Sequence, residues 1–140
     1  MKKPAITKLL LLVPALWTSL FDSVITIVHQ PREYWDGNLY LANEANPIGE
    51  LVMKYHITGI FVLCALWLVA IGGVAYHLPT KLSRIFLLFV IIVHAYGASS
   101  WLNMIYGFWY VLVFVLFTVV LFYWVQDCVD SKISNKETDN

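Results

Sequence analysis

Thr18, Asp22, Thr26 and His29 are spaced four, four and three residues apart, which on a helix puts them on one stripe. Ser19 lies beside it. Asp22 is a carboxylate inside an apolar stretch, where an ionisable group is costly unless it has partners. Two roles answer that cost: a polar bond that locks helix packing, or a ligand, ion or proton site. A second set is Glu44-Ala45-Asn46-Pro47. Asn at the N-cap followed by Pro at the first helical position is a helix-start signal that needs no function, and Glu50 with Lys54 forms an i,i+4 pair on the emerging turn. Glu44 is not used by the cap and lies near the positive end of the following helix. The third set is Tyr96, Ser99, Ser100 and Asn103, which share a face because seven residues make nearly two turns. His94, nine residues before Asn103, falls about half a turn from that face and is expected to bond to another helix.

Several chemistries do not fit these residues. The two cysteines, Cys64 and Cys128, are far apart and form no CxxC pair, which excludes quinone-linked disulfide exchange. His56 and His94 differ too much in depth to share a haem. There is no Gly-x-Ser-x-Gly elbow or phosphate-cradling glycine loop. His29 and His56, with Asp22, Glu44 and Glu50 near them in topology, are competent metal-ligand types, although no tight ligand spacing joins them. No cofactor is implied. The leading expectation is a polar site that binds a small ligand, an ion or a protein partner. Its alternative is a membrane-embedded enzyme using Asp22 and Glu44 as acid and base, or a metal, on a lipid or peptide.

The elements that must carry these residues follow from composition. Of 140 residues, 60% are apolar and 13% charged, with nine basic and nine acidic residues, which excludes an ordinary water-soluble domain. So few cations also exclude a nucleic-acid partner. Four runs, about residues 9–28, 57–76, 85–105 and 108–125, reach the roughly 20 apolar residues needed to span a bilayer. None alternates with the period of a barrel strand. The pattern predicts an all-α integral membrane protein, a four-transmembrane-helix bundle in one domain over residues 1–140, with an outer loop at 30–46 and a cytoplasmic tail at 126–140.

Seven of the nine Lys and Arg residues precede span one, join spans two and three, or follow span four; only Arg32 and Lys54 fall on the other side. That bias places both termini in the cytoplasm. The basic start and apolar run of span one also resemble a signal peptide, but no small-x-small cleavage site follows it, so the span is expected to stay, with Pro14 as a kink. Span four is the least polar and is expected to face lipid. Gly59, Gly72, Gly73, Gly97 and Ala98 offer close helix contacts, within the chain or in self-association.

In this topology Asp22, Thr26 and His29 occupy the outer third of span one, Ser99, Ser100 and Asn103 the outer third of span three, and Glu44, Asn46 and His56 the outer mouth of span two. A polar cluster of Asp22, Thr26, Glu44, Asn46 and Asn103 is therefore expected at the extracytoplasmic end. Phe21-Asp22-Ser23-Val24-Ile25-Thr26, then a loop, then Asn43-Glu44-Ala45-Asn46-Pro47-Ile48 resembles a family of small bacterial multi-pass membrane proteins of unknown function. The shared pattern is Asp-x3-Thr on one span and Glu-x-Asn-Pro at the next, over residues 18–60. The resemblance implies a bacterial inner-membrane location and singles out Asp22, Thr26, Glu44, Asn46 and Pro47. The loop here, with Pro31, Trp35 and Asp36-Gly37, is longer than that pattern.

Overall fold

The computed structural model describes residues 4–138, with side chains described over 9–131. It is all-helical, with α1 at Pro4–Val28, α2 at Arg32–Trp35, a 3-10 turn at Leu39–Leu41, α3 at Pro47–Tyr55, α4 at Gly59–His77, α5 at Thr80–Ile105 and α6 at Phe108–Thr138. Four stretches, Leu9–Val28, Gly59–His77, Thr80–Ile105 and Phe108–Ser131, are long and apolar enough to cross a membrane. The segment expected as a tail, 126–140, is helical through Thr138 as the continuation of α6, because no Gly or Pro interrupts the polar sequence after Gln126. The α5–α6 connection is only Tyr106 and Gly107. Gly107 has φ +89°, and the amides of both residues close on the Leu102 carbonyl, at 2.8 and 3.0 Å. A side chain at that φ would be strained, so glycine permits the tight reversal.

The four long helices run up, down, up and down. Leu11, Leu12 and Ala15 of α1 pack with Ile71 and Ala75 of α4, Leu87, Val90 and Ile91 of α5, and Val125 and Val129 of α6. The start of α1 and the end of α6 thus share one pole, the terminal end. At the opposite pole, the loop end, Ile25 packs with Ala98, Leu102 and Phe114. α1 is the hub, touching α4, α5 and α6, and its apolar stretch is the most buried of the four. It passes through Pro14, and the Thr18 hydroxyl donates to the carbonyls of Pro14 and Ala15, both at 3.1 Å. Thr18, the first member of the polar stripe, is thereby satisfied within its own helix. α6 is the least buried of the four.

The loop end is capped by residues 30–58. Gln30, itself buried, donates to the carbonyls of Asn43 at 2.8 Å and Thr26 at 3.0 Å and accepts the Asn43 amide at 2.8 Å. Tyr34 is fully buried beside Met53 and Ile60, and its hydroxyl donates to the Ile57 carbonyl. Burial pushes the Tyr34 phenol above its ordinary range.

The Asn46 side chain caps α3 by accepting the Ile48 amide at 3.0 Å. The helix that starts there does not run on into α4. It ends at Tyr55, His56 turns extended, and α4 begins at Gly59. His56 Nδ1 accepts the Thr58 amide and lies 2.8 Å from the Thr58 hydroxyl, which stabilises the turn. α3 folds back so closely that a β-carbon at Gly59 would lie 2.5 Å from the Val52 carbonyl oxygen. Gly49 and Met53 face inward while Ile48, Leu51 and Tyr55 are exposed.

Candidate functional site

Asp22 points into the bundle. Its Oδ2 accepts a 2.8 Å hydrogen bond from Nδ1 of His94 on α5, and the two side chains are 20% and 15% exposed. On the far side of the ring, Trp67 Nε1 on α4 donates to His94 Nε2 at 2.7 Å. The indole N–H can only donate, so Nε2 must carry the lone pair. The remaining ring proton is then on Nδ1, where it is given to Asp22. This arrangement joins three helices and leaves the imidazole neutral.

Gly97 completes the pocket. It lies three residues after His94 on the same face of α5, and a β-carbon there would sit 2.8 Å from both Asp22 carboxylate oxygens. Only the absence of a side chain lets the carboxylate rest against this helix. Next to it, Ser23 of α1 meets Cys64 of α4, which lies within electrostatic range of both Asp22 and Glu44.

Glu44 closes the site from the loop. Its Oε1 accepts the Asn46 amide at 2.7 Å, and its side chain lies so close to α3 that a β-carbon at Gly49 would be 2.8 Å from Glu44 Cγ. Burial raises the Glu44 carboxyl above its ordinary value, and the charge of Asp22 pushes the same way; backbone hydrogen bonds at Asn46 and Ala45 oppose them in part. The two carboxylates therefore sense one another.

No lysine or arginine side chain is bonded to either carboxylate among the described residues. The two cations of the loop segment are engaged elsewhere, Lys54 with Glu50 and Arg32 with Asp36 at 3.8 Å. Both are i,i+4 pairs, one within α3 and the other from α2 to the residue that caps its end.

Of the expected cluster, Asp22 and Glu44 lie within electrostatic range of each other, Thr26 is buried one turn beyond Asp22, and Asn46 stands at the α3 cap. Asn103 does not join them. It is exposed, as are Tyr96 and Ser100, and Ser100 donates to the Gly97 carbonyl of its own helix. The reason is angular: α5 turns His94 and Gly97 toward α1, which carries Asn103 about half a turn away. The signal for the true partner was the His94-x-x-Gly97 spacing, an imidazole and a gap on one face.

The two proposed metal ligands are also separate. His29 donates from Nδ1 to the Ile25 carbonyl at 2.9 Å, and its Nε2 meets the Tyr106 hydroxyl at 3.0 Å; His56 is held in the α3–α4 turn. Among the described residues no group of three or more His, Cys, Asp or Glu side chains is placed to hold a metal ion. The glycines divide as well. Gly59 and Gly97 are used within the chain, whereas nothing lies near Gly72 and Gly73 on α4.

Comparison with family models, with curated proteins and with solved structures finds no match to this chain.

Proposed function

We propose that the chain is a multi-pass protein of the bacterial cytoplasmic membrane, with both termini in the cytoplasm, that binds a proton or small cation between Asp22 and Glu44 near the outer end of its bundle. The observation that carries this reading is an imbalance of charge. Two carboxylates lie within electrostatic range of each other in a largely apolar setting, the nearest imidazole is held neutral by Trp67, and the two cations of the loop segment pair with other carboxylates. In a low-dielectric bundle such a pair takes up a proton or a cation in preference to remaining doubly ionised. His94, Trp67 and Gly97 position Asp22, and Asn46 positions Glu44.

The test is cation and proton uptake by protein in nanodiscs, comparing wild type with Asp22→Asn. Titrations use sodium, potassium, magnesium, calcium and tetramethylammonium, with proton uptake followed from neutral to acid pH. One of these is expected to bind, with a loss of roughly tenfold or more in Asp22→Asn, the effect of removing a buried charge partner, while helix content is unchanged. Identical titrations of the two proteins would overturn the reading.

A second reading, acid–base catalysis on a lipid or peptide, rests on the raised Glu44 carboxyl, which suits a general acid. It requires a hydrolytic activity that Glu44→Gln abolishes.

A further inference from the structure

Far from the carboxylates, α5 and α6 do not close on each other along their whole length. Two open cavities of about 170 and 300 Å³ lie along their seam and share Leu88, Ile91 and Phe122. The first reaches Arg84 and Gln126 toward the terminal end, and the second continues to Ala95 and Val115. Together they make one lengthwise groove. From Arg84 to Ala95 is eleven residues of α5, about 16 Å of helix, close to the roughly 15 Å of hydrocarbon in one leaflet.

The groove is chemically two-ended. Its long wall is aliphatic and aromatic, and the Thr118 hydroxyl there is spent on the Phe114 carbonyl of its own helix. At the terminal end the character changes. Arg84 is exposed and has no carboxylate partner among the described residues. The side-chain carbonyl oxygen of Gln126 is buried and accepts no hydrogen bond among them. A guanidinium beside an unsatisfied acceptor, opening onto an acyl-sized apolar channel, matches an anion that carries its own hydroxyl donor and a hydrocarbon chain.

We infer that this groove seats one anionic phospholipid of the leaflet at the terminal end, with an acyl chain along Ile91, Ile92 and Val119, its phosphodiester on Arg84 and a headgroup hydroxyl toward Gln126. This rests on the membrane reading above and is independent of the Asp22 site.

The test uses the full chain, delipidated in a neutral detergent and offered phosphatidylglycerol and phosphatidylcholine of equal chain length in competition. Bound lipid is read by native mass spectrometry and stability by thermal unfolding. One phosphatidylglycerol is expected to be retained with about fivefold preference, the worth of one cationic side chain at an anionic headgroup. Arg84→Gln should reduce that preference, and Val119→Trp, which fills the groove from an exposed position, should weaken both. Equal retention by the wild type overturns the site, and that competition decides the matter even if a variant fails to fold. A preference unchanged in Arg84→Gln overturns it too, as does efficient crosslinking between two chains carrying Leu88→Cys, which would show a second copy in the groove. Release of the chain from membranes by alkaline carbonate would instead overturn the membrane reading itself.

Discussion

Gly97 sets the geometry of the Asp22 pocket more strictly than any polar residue. Because a β-carbon there would press on both carboxylate oxygens at 2.8 Å, Gly97→Ala is expected to cost about 1–3 kcal/mol, as overpacking does. In the Asp22→Ala background the same change should cost much less, and a double-mutant cycle on thermal unfolding measures the difference. Simple additivity would show that the two do not touch. At Glu44 the prediction is one of sign. A carboxyl raised by burial binds its proton more tightly in the folded chain than in the unfolded one, so its contribution favours folding at low pH. That contribution fades as pH rises from the ordinary carboxylate range through the raised folded value. Stability should fall across that window in the wild type, and Glu44→Gln should flatten the slope. Both carboxylates were legible in the sequence, since a charge in an apolar run and a Glu before a capped helix are visible as text. The imidazole was placed correctly as an inter-helix hydrogen-bonder, but its partner was not identified. Periodicity tells which residues share a face and not which faces meet, so Asn103 seemed as well placed as His94.

At the scale of elements, the loop from Gln30 to Asn43 is held by one amide side chain that satisfies three backbone groups. Gln30→Ala is expected to cost about 2 kcal/mol, since each net hydrogen bond contributes around 0.5–1.5 kcal/mol. Exchange of the Asn43 amide with deuterium should then speed up roughly tenfold or more, in line with that energy, while exchange in the middle of α1 and α5 stays unchanged. Equal protection of Asn43 in both proteins would show that the loop is held by something else. Nothing in the sequence distinguished Gln30 from any other polar loop residue, because its role depends on a partner thirteen positions away. The fold of α3 was half legible. The Asn46-Pro47 start was plain, but the break at His56 comes from a local turn and from the close approach of Val52 to Gly59, and hydropathy is silent on both.

For the whole molecule, the four long apolar helices were the most legible feature, because length and composition alone specify them. The orientation expected from the Lys and Arg distribution can be tested with thiol labels after Cys64 and Cys128 are replaced by serine. A cysteine at Asn38 should react with an impermeant reagent in intact cells, and one at Asn140 only after the membrane is opened. Labelling of both from one side would refute the topology.

The bond between Asp22 and His94 joins residues 72 positions apart, and the helix that carries Asp22 is the hub on which the other three pack. A ribosome delivers that hub first and its imidazole partner much later. Throughout the interval α1 would present an unmatched acid to lipid or to the insertion machinery, so its early residence there is costly. The bundle must therefore assemble backwards in time, its central helix waiting for α5 to arrive. Nascent chains halted before His94 should be held by the translocase or degraded, and those that extend through α6 released as folded protein.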